Sequence, residues 1–391
     1  MRIAIVLDYS LDLIGGAQRA ALNEAAALIG VGHEVLLVAP RPRRPVVPPG
    51  VRVLWTESPR LPVLDLALVA DDDALRSRLT AAFRLEGIDA VHLHSEFGHA
   101  GAARAAARSL GLPVVHTVHT AYWPVVPLPA RAAARTLLAS LAGPVPARTG
   151  HALLDRTLAT ALAADVVVSP SAHQAADLRR LGVPDPVVLP NCGVADGRPA
   201  LPLPDGPLKV AWIGRAVPEK RLPTFVRAVR RAQRRLPPDA LRVAIVGDGP
   251  SLPVAKALAG GRRGLVLLGR LGAEQVRDVV DGAHLTALTS LGFDNQPMTV
   301  VESVRAGRGV LHVDPRLTEG LDRAGLLTAS PDASGMADLL VELALDPARV
   351  VRAAAAARAA ADLFAPSTHL ARLLPLLRGS REAEDRSGAA A

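Results

Sequence analysis

The chain has a single cysteine, Cys192, so no intrachain disulfide can form and no thiolate cluster can hold a metal within one copy. That fits a reducing compartment. Aromatic residues are only 3% of the 391 positions while half of all residues are hydrophobic, a balance that describes a layered, aliphatic α/β protein rather than a disordered chain. With so few aromatics and no reading motif, nucleic-acid binding is not expected. No run reaches the roughly 18 uncharged apolar residues of a membrane span, so membrane contact is expected to be peripheral. The opening run, Met1 to Asp8, is too short for a signal peptide and reads as a buried first strand. Lysine occurs only at Lys209, Lys220 and Lys256, so the formal charge of +8 is arginine-led. Part of it reflects composition, and the remainder favours anionic partners such as nucleotide phosphates or an anionic bilayer surface.

Short apolar runs bounded by Gly, Pro or Asp alternate with longer Ala/Leu/Arg segments at helical spacing, the pattern of repeated βα units. In the first half, strands are expected at Ile3 to Leu7, Val35 to Val38, Ala90 to Leu93, Val114 to Val118, Val166 to Val168 and Val187 to Leu189. Helices are expected at Ala17 to Leu28 and Ala100 to Leu110. Ser171 with Gln174 three residues on gives a capping-box start for a helix running to Leu181. A Pro/Gly-rich connector, 196–207, marks a domain boundary. The series then repeats with strands at Val210 to Ile213, Val243 to Val246, Val266 to Leu268, Leu285 to Leu288 and Val310 to Val313, and two to three helices after Pro331. The expected organisation is two doubly wound, Rossmann-like domains, 1–195 and 208–378, facing across a cleft. The last helix is allowed to cross back to the first domain, and a frayed tail follows from 379 to 391.

Several residues sit where such folds place chemistry. Arg215 and Lys220 follow the first strand of the second series; a forked guanidinium and a compact ammonium there can neutralise a diphosphate, the competing reading being an exposed salt bridge with Glu219. Asp294 precedes a helix whose first turn carries Pro297, leaving the amides of Met298 and Thr299 to face an oxygen-rich ligand; otherwise Asp294 or Asn295 caps that helix and Glu302 lies on its solvated face. Gly15 and Gly16, and Gly247 in Val246-Gly-Asp-Gly-Pro250, lie at strand-to-helix turns that suit phosphate contact or a bare bend. His92, His94, His116 and His119 crowd two strands, but neither strand carries a carboxylate and no HExxH is present, so a metal is not expected. His119 is read at the carboxyl end of its strand, contacting substrate, or as a hydrogen-bonded core histidine.

Taken together and in order, these motifs resemble the retaining GT-B glycosyltransferases with an E-x7-E motif, family 4. The resemblance runs from Gly15-Gly16 through Gly32-His33-Glu34-Val35, His116-Thr-Val-His119-Thr120, Pro170-Ser171, Pro190-Asn191, Gly214-Arg215 with Lys220 and Val246-Gly-Asp-Gly-Pro250 to Asp294 and Glu302. It implies a donor diphosphate held by Arg215 and Lys220 with the amides of Gly15, Gly16 and Gly214, and a ribose bound by Glu302. It also implies a transferred sugar met by His119, Asp294, Asn295, Gln296, Met298 and Thr299, with Gly247 on the donor side. No cofactor and no metal is implied, because the two cations take its place. The chain departs from the family in carrying Asp294 for the usual Glu, Gln296-Pro297 for Phe-Gly, and Cys192 inside the usual Asn-Gly turn.

His94-Ser-Glu-Phe-Gly98 and His119-Thr-Ala-Tyr122 are similar to the members that glycosylate membrane lipids with UDP- or GDP-sugars such as GDP-mannose. In that resemblance His94, Glu96 and Tyr122 lie on the acceptor side. A basic face through Arg131, Arg135, Arg148 and Arg156 is read as meeting anionic lipid, or as an ordinary surface helix. The expected localisation is cytoplasmic and peripheral on the inner face of the membrane, and no protein partner is inferred. The alternatives are a soluble transferase acting on a small metabolite or polysaccharide, and a catalytically inactive sugar-nucleotide-binding protein.

Overall fold

A computed structural model describes residues 1–12, 15–44, 46–57, 60–61, 66–67, 69–120, 136, 139, 143–194 and 197–379. It divides into two compact units, residues 1–195 with 366–391, and residues 196–365.

The first unit contains the strands β1 (Arg2–Val6), β2 (Glu34–Pro40), β3 (Arg52–Thr56), β4 (Arg60–Leu61), β5 (Leu66–Ala67), β6 (Ala90–Leu93), β7 (Val114–Thr117), β8 (Val166–Ser169) and β9 (Val187–Val188). All but β4 and β5, which form a separate antiparallel pair, join one parallel sheet in the order β3-β2-β1-β6-β7-β8-β9. Helices α1 (Gly16–Gly30), α2 (Asp73–Leu85), α3 (Gly98–Ser109), α4 (Ala152–Ala161) and α5 (Ala172–Arg180) supply the crossovers. Alternation along β1 sends Ile3 and Ile5 to one face, against Leu22 and Leu28 of α1, and Ala4 and Val6 to the other, against Leu79 and Phe83 of α2. The helix Pro366–Arg378 completes the first of these cores by burying Leu370, Leu373 and Leu377 beside Ile3 and Ile5.

The second unit repeats the plan with strands β10 (Leu208–Ile213), β11 (Leu241–Val246), β12 (Leu265–Gly269), β13 (Leu285–Leu288), β14 (Gly309–His312) and β15 (Gly325–Leu327). Their order in the sheet is β12-β11-β10-β13-β14-β15. Helices α6 (Leu222–Gln233), α7 (Leu252–Ala259), α8 (Ala273–Asp281), α9 (Met298–Arg305), α10 (Leu321–Ala324), α11 (Ala333–Leu345) and α12 (Pro347–Ala360) accompany them, which makes the helix Pro366–Arg378 α13. Both sheets run outward from their first strand in two directions, so each has a switch point, between β1 and β6 and between β10 and β13. Each unit is thus a doubly wound, Rossmann-like α/β sheet, as expected from the sequence.

The expected strands and helices are found within one or two residues. The Ser171 side chain accepts from Gln174 N as the capping box requires, and the helix after it ends at Arg180. Two strands, β3 and β15, and the β4–β5 pair were not anticipated. The connector from Gly197 to Pro207 has no regular structure but is fastened to the second unit. Arg198 pairs with Asp278 at 2.8 Å, and the fully buried Arg308 donates to the carbonyls of Leu201 and Pro202 at 2.8 and 3.0 Å.

Candidate functional site

In the second unit the loops after β10 and β13 meet at the switch point. Lys220 Nζ donates to both carboxylate oxygens of Asp294, at 2.5 and 2.7 Å. The two residues are 74 positions apart, so strand adjacency brings them together. Ser290 also bonds the Asp294 carboxylate, Thr289 Oγ1 donates to the Lys220 carbonyl, and Trp212 Nε1 donates to Thr289 Oγ1 at 3.0 Å. Gly292 N donates to Asp314 at 2.7 Å, which fixes the β13 loop from its other side. Lys220 thus pairs with Asp294, not with Glu219. Arg215 is exposed, with no ion-pair partner among the described residues. An exposed guanidinium and a paired ammonium on the same loop give this corner the charge an anionic ligand needs.

The turn 247–249 lies across the Arg215 loop. Gly214 N donates to the Val246 carbonyl at 3.1 Å and Ala216 N to the Asp248 carbonyl at 2.8 Å. Gly247 has φ +134, and a Cβ on it would fall 1.8 Å from the Gly214 carbonyl oxygen, so this crossing admits only glycine.

Pro297 is the N-cap of α9 rather than a residue of its first turn, and Met298 is the first helical residue. The shift by one leaves the reasoning about the amides intact: those of Met298 and Thr299 have no acceptor within the helix. Asp294 does not cap α9, since its carboxylate is held by Lys220 and Ser290. Asn295 and Gln296 are buried, and Glu302 is half-buried in the second turn of α9. In the first unit Gly15 is the N-cap of α1, and its amide already donates to Gln18 Oε1 at 3.2 Å; Gly16 has nothing within 4 Å of the place a Cβ would take.

At the other switch point the histidines converge on a carboxylate that sequence reading overlooked. Glu24, on α1, lies 2.6 Å from His92 Nδ1, 3.3 Å from His94 Nε2 and 3.1 Å from Nε2 of His369 on α13. His92 Nε2 meets Thr117 Oγ1 at 2.7 Å, His94 Nδ1 meets His119 Nε2 at 2.8 Å, and His369 Nδ1 donates to the Pro190 carbonyl at 2.8 Å. Glu24, His92 and His94 each offer a ligand atom within 4.8 Å of the others. The carboxylate missing from the two strands therefore comes from a helix. One signal could have revealed it: position 24 shares a helical stripe with the fully buried Ala21 and Leu28, where an acid is out of place unless paired.

Burial would raise the Glu24 pKa, but the neighbouring histidines His92, His94 and His369 outweigh it and hold the carboxyl well below its usual range. Burial, reinforced by His92, pushes His94 down to about 4, and burial pushes His116 down to about 3. His119, half-buried two residues beyond the end of β7, is lowered well below its ordinary value by burial and by His94. Asp8, at the end of β1, is fully buried and accepts from Ser95 Oγ and from the amides of Phe97 and His99 at 2.7 to 2.9 Å, which anchors the N-terminus of α3. His94 and Glu96 are 2% and 3% exposed, so both are buried. Tyr122, Arg131 and Arg135 lie outside the described residues.

A pH dependence follows. The unfolded chain protonates its histidines near 6.5, whereas folded His94 and His116 do so only near 4 and 3. Between these values the unfolded state binds more protons, so stability falls as pH drops from 6.5 towards 4. The Glu24 contribution is complete above pH 4.5 and is lost as pH falls from there through its lower folded value. Calorimetry across pH 4 to 7 should show a falling melting temperature, and His116→Phe, which removes a buried ring with no hydrogen-bond partner among the described residues, should flatten part of the slope. A curve level between pH 6.5 and 4.5 would contradict the assignment.

The sequence matches two family profiles, Glycosyltransferase Family 4 over residues 14–198 and Glycosyl transferases group 1 over residues 207–346. It is 30% identical to the alpha-monoglucosyldiacylglycerol synthase of Acholeplasma laidlawii over 125 residues, 31% of this chain and 30% of that protein. It is 31% identical to the GDP-mannose-dependent alpha-mannosyltransferase of Mycolicibacterium smegmatis over 262 residues, 64% of each. The matched stretches thus span less than two thirds of either relative. In structure it is similar to HepE of Anabaena in complex with UDP and glucose, with a TM-score of 0.67, 16% identity, and coverage of 96% of this chain and 99% of that one, which speaks to the fold alone. The two profiles fall on the two sheets, and with them the chain belongs to the GT-B glycosyltransferases, Glycosyltransferase Family 4 in its first half and group 1 in its second.

Proposed function

We propose that this chain is a retaining, metal-independent hexosyltransferase that moves a sugar from a UDP- or GDP-sugar to the hydroxyl of a membrane lipid. The observation that carries the reading is the Lys220–Asp294 pair at the carboxyl ends of β10 and β13, with the exposed Arg215 on the same loop as Lys220. Arg215 and Lys220 take the negative charge that builds on the departing nucleoside diphosphate, the task a divalent metal performs elsewhere. Glu302 holds the ribose. Asp294, the α9 amides and His119 orient the sugar through an oxocarbenium-like transition state. The acceptor hydroxyl attacks from the face the diphosphate leaves, and a diphosphate oxygen takes its proton, so no protein nucleophile is needed.

Two relatives support the acceptor and donor classes, one named as an alpha-monoglucosyldiacylglycerol synthase and the other as a GDP-mannose-dependent alpha-mannosyltransferase. Among the described residues no helix is long and apolar enough to cross a membrane, so lipid would be met at the surface. A melting-temperature screen against UDP- and GDP-sugars should show stabilisation by one donor that grows with the logarithm of its concentration. With that donor, radiolabelled sugar should pass to lipid extract. No stabilisation by any sugar nucleotide, together with no transfer, would discard the reading, whereas transfer only to water-soluble acceptors would discard the lipid.

A further inference from the structure

We propose that Glu24 and His94 are positioning residues for His119, fixing which of its ring nitrogens carries the proton. This deepens the glycosyltransferase reading and rests on it for its effect on rate, because there His119 touches the transferred sugar.

The hydrogens can be assigned in sequence. An ionised carboxylate only accepts hydrogen bonds, and Glu24 is ionised at neutral pH, so the ring nitrogens facing its Oε1, His92 Nδ1 at 2.6 Å and His94 Nε2 at 3.3 Å, are the donors. Neutral imidazole carries one N–H. With that hydrogen on Nε2, His94 offers a lone pair at Nδ1, and His119 Nε2, 2.8 Å away, must be the donor across that contact. The two rings are within 16° of parallel with centroids 5.0 Å apart, so the nitrogens are the point of closest approach and the rings meet edge to edge. His119 is thereby left with its lone pair on Nδ1. It would accept a hydrogen bond from a sugar hydroxyl there rather than donate one.

The start of this relay is firmly held. The second oxygen of Glu24 faces His369 Nε2 at 3.1 Å and the Pro190 carbonyl faces His369 Nδ1 at 2.8 Å, so both nitrogens of this ring meet acceptors and both donate, which leaves the Glu24 carboxylate as acceptor throughout. His92 is fixed through Nε2 to Thr117. A carboxylate held from three sides cannot turn to satisfy a different tautomer of His94. A histidine orienter of this kind acts through another residue and need not touch substrate.

The test is nitrogen-resolved NMR of the full chain labelled at histidine, without donor, with His119 signals assigned by their loss in His119→Asn. The expected result is a single His119 form protonated at Nε2, with scalar coupling across the hydrogen bond to His94 Nδ1. In Glu24→Gln and in His94→Phe the coupling should vanish and His119 should sample both tautomers, while kcat for transfer falls about tenfold with donor KM little changed. If Glu24→Gln does not fold, the wild-type spectrum and His94→Phe still decide. A His119 proton on Nδ1 in the wild type, or an unchanged His119 signal in both variants, overturns the relay. So does a stoichiometric divalent metal in the purified chain that is lost in Glu24→Gln, since an ion on His94 Nε2 would put that ring's proton on Nδ1 and reverse the bond. A confirmed relay together with wild-type transfer by His119→Ala would instead refute His119 as the sugar contact and leave the relay standing.

Discussion

Arg215→Ala is expected to lower sugar transfer by about two to three orders of magnitude, the usual cost of removing one donor aimed at charge that develops in the transition state. The exposed guanidinium has no ion-pair partner among the described residues, so its loss should leave the melting temperature nearly unchanged. That separation makes it the cleaner of two variants. Lys220→Ala should cost at least as much activity, but it also leaves the Asp294 carboxylate, 11% exposed, with Ser290 as its remaining side-chain partner, so some stability should go with it. Initial rates beside calorimetry distinguish the cases. If Arg215→Ala transferred sugar at a near-normal rate, the diphosphate site would have to lie elsewhere.

Gly247→Ala should be the most destabilising single methyl group that can be added to the second unit's site. The Cβ would sit 1.8 Å from the Gly214 carbonyl oxygen, a backbone atom with no flexible end that could yield, and φ +134 is unfavourable for any L residue. We expect a loss of about 3–5 kcal/mol, and because the turn rests on the loop that carries Arg215, activity should fall even where the protein remains folded. Gly16→Ala is the control, with nothing within 4 Å of the added carbon. Comparable melting temperatures for the two variants would show that the crossing of the 214–216 and 247–249 loops is not as tight as described.

Much of the fold could be read from the sequence because buried parallel strands are short apolar runs bounded by turn residues, and a run such as Leu285–Leu288, buried at every position, has few other uses. Edge strands carry a weaker signal. In β3 only Thr56 is buried, and its Arg-Val-Leu-Trp-Thr run follows Pro48-Pro49-Gly50, which reads as loop; β15 is three residues long. The corner of the second unit that holds Lys220 and Asp294 was legible by position, since residues following β10 and β13 of a doubly wound sheet must meet. The bond between Lys220 and Asp294 was not, because nothing local links two positions 74 apart. Glu24 and His369 were missed for the same reason in stronger form: they are 345 residues apart and meet only because α13 packs on α1 and the first sheet.

That return of α13 also sets an order on how the protein is made. Residues 1–195 leave the ribosome before residues 196–365, yet the core around Ile3 and Ile5 lacks Leu370, Leu373 and Leu377 until those later residues have been synthesised as well. The second unit, residues 196–365, is contiguous and has every strand it needs as soon as it emerges. Domains generally fold as units in the order they appear. Here the unit that is translated first is completed after the second, and during the interval the apolar face that α13 will cover stands open.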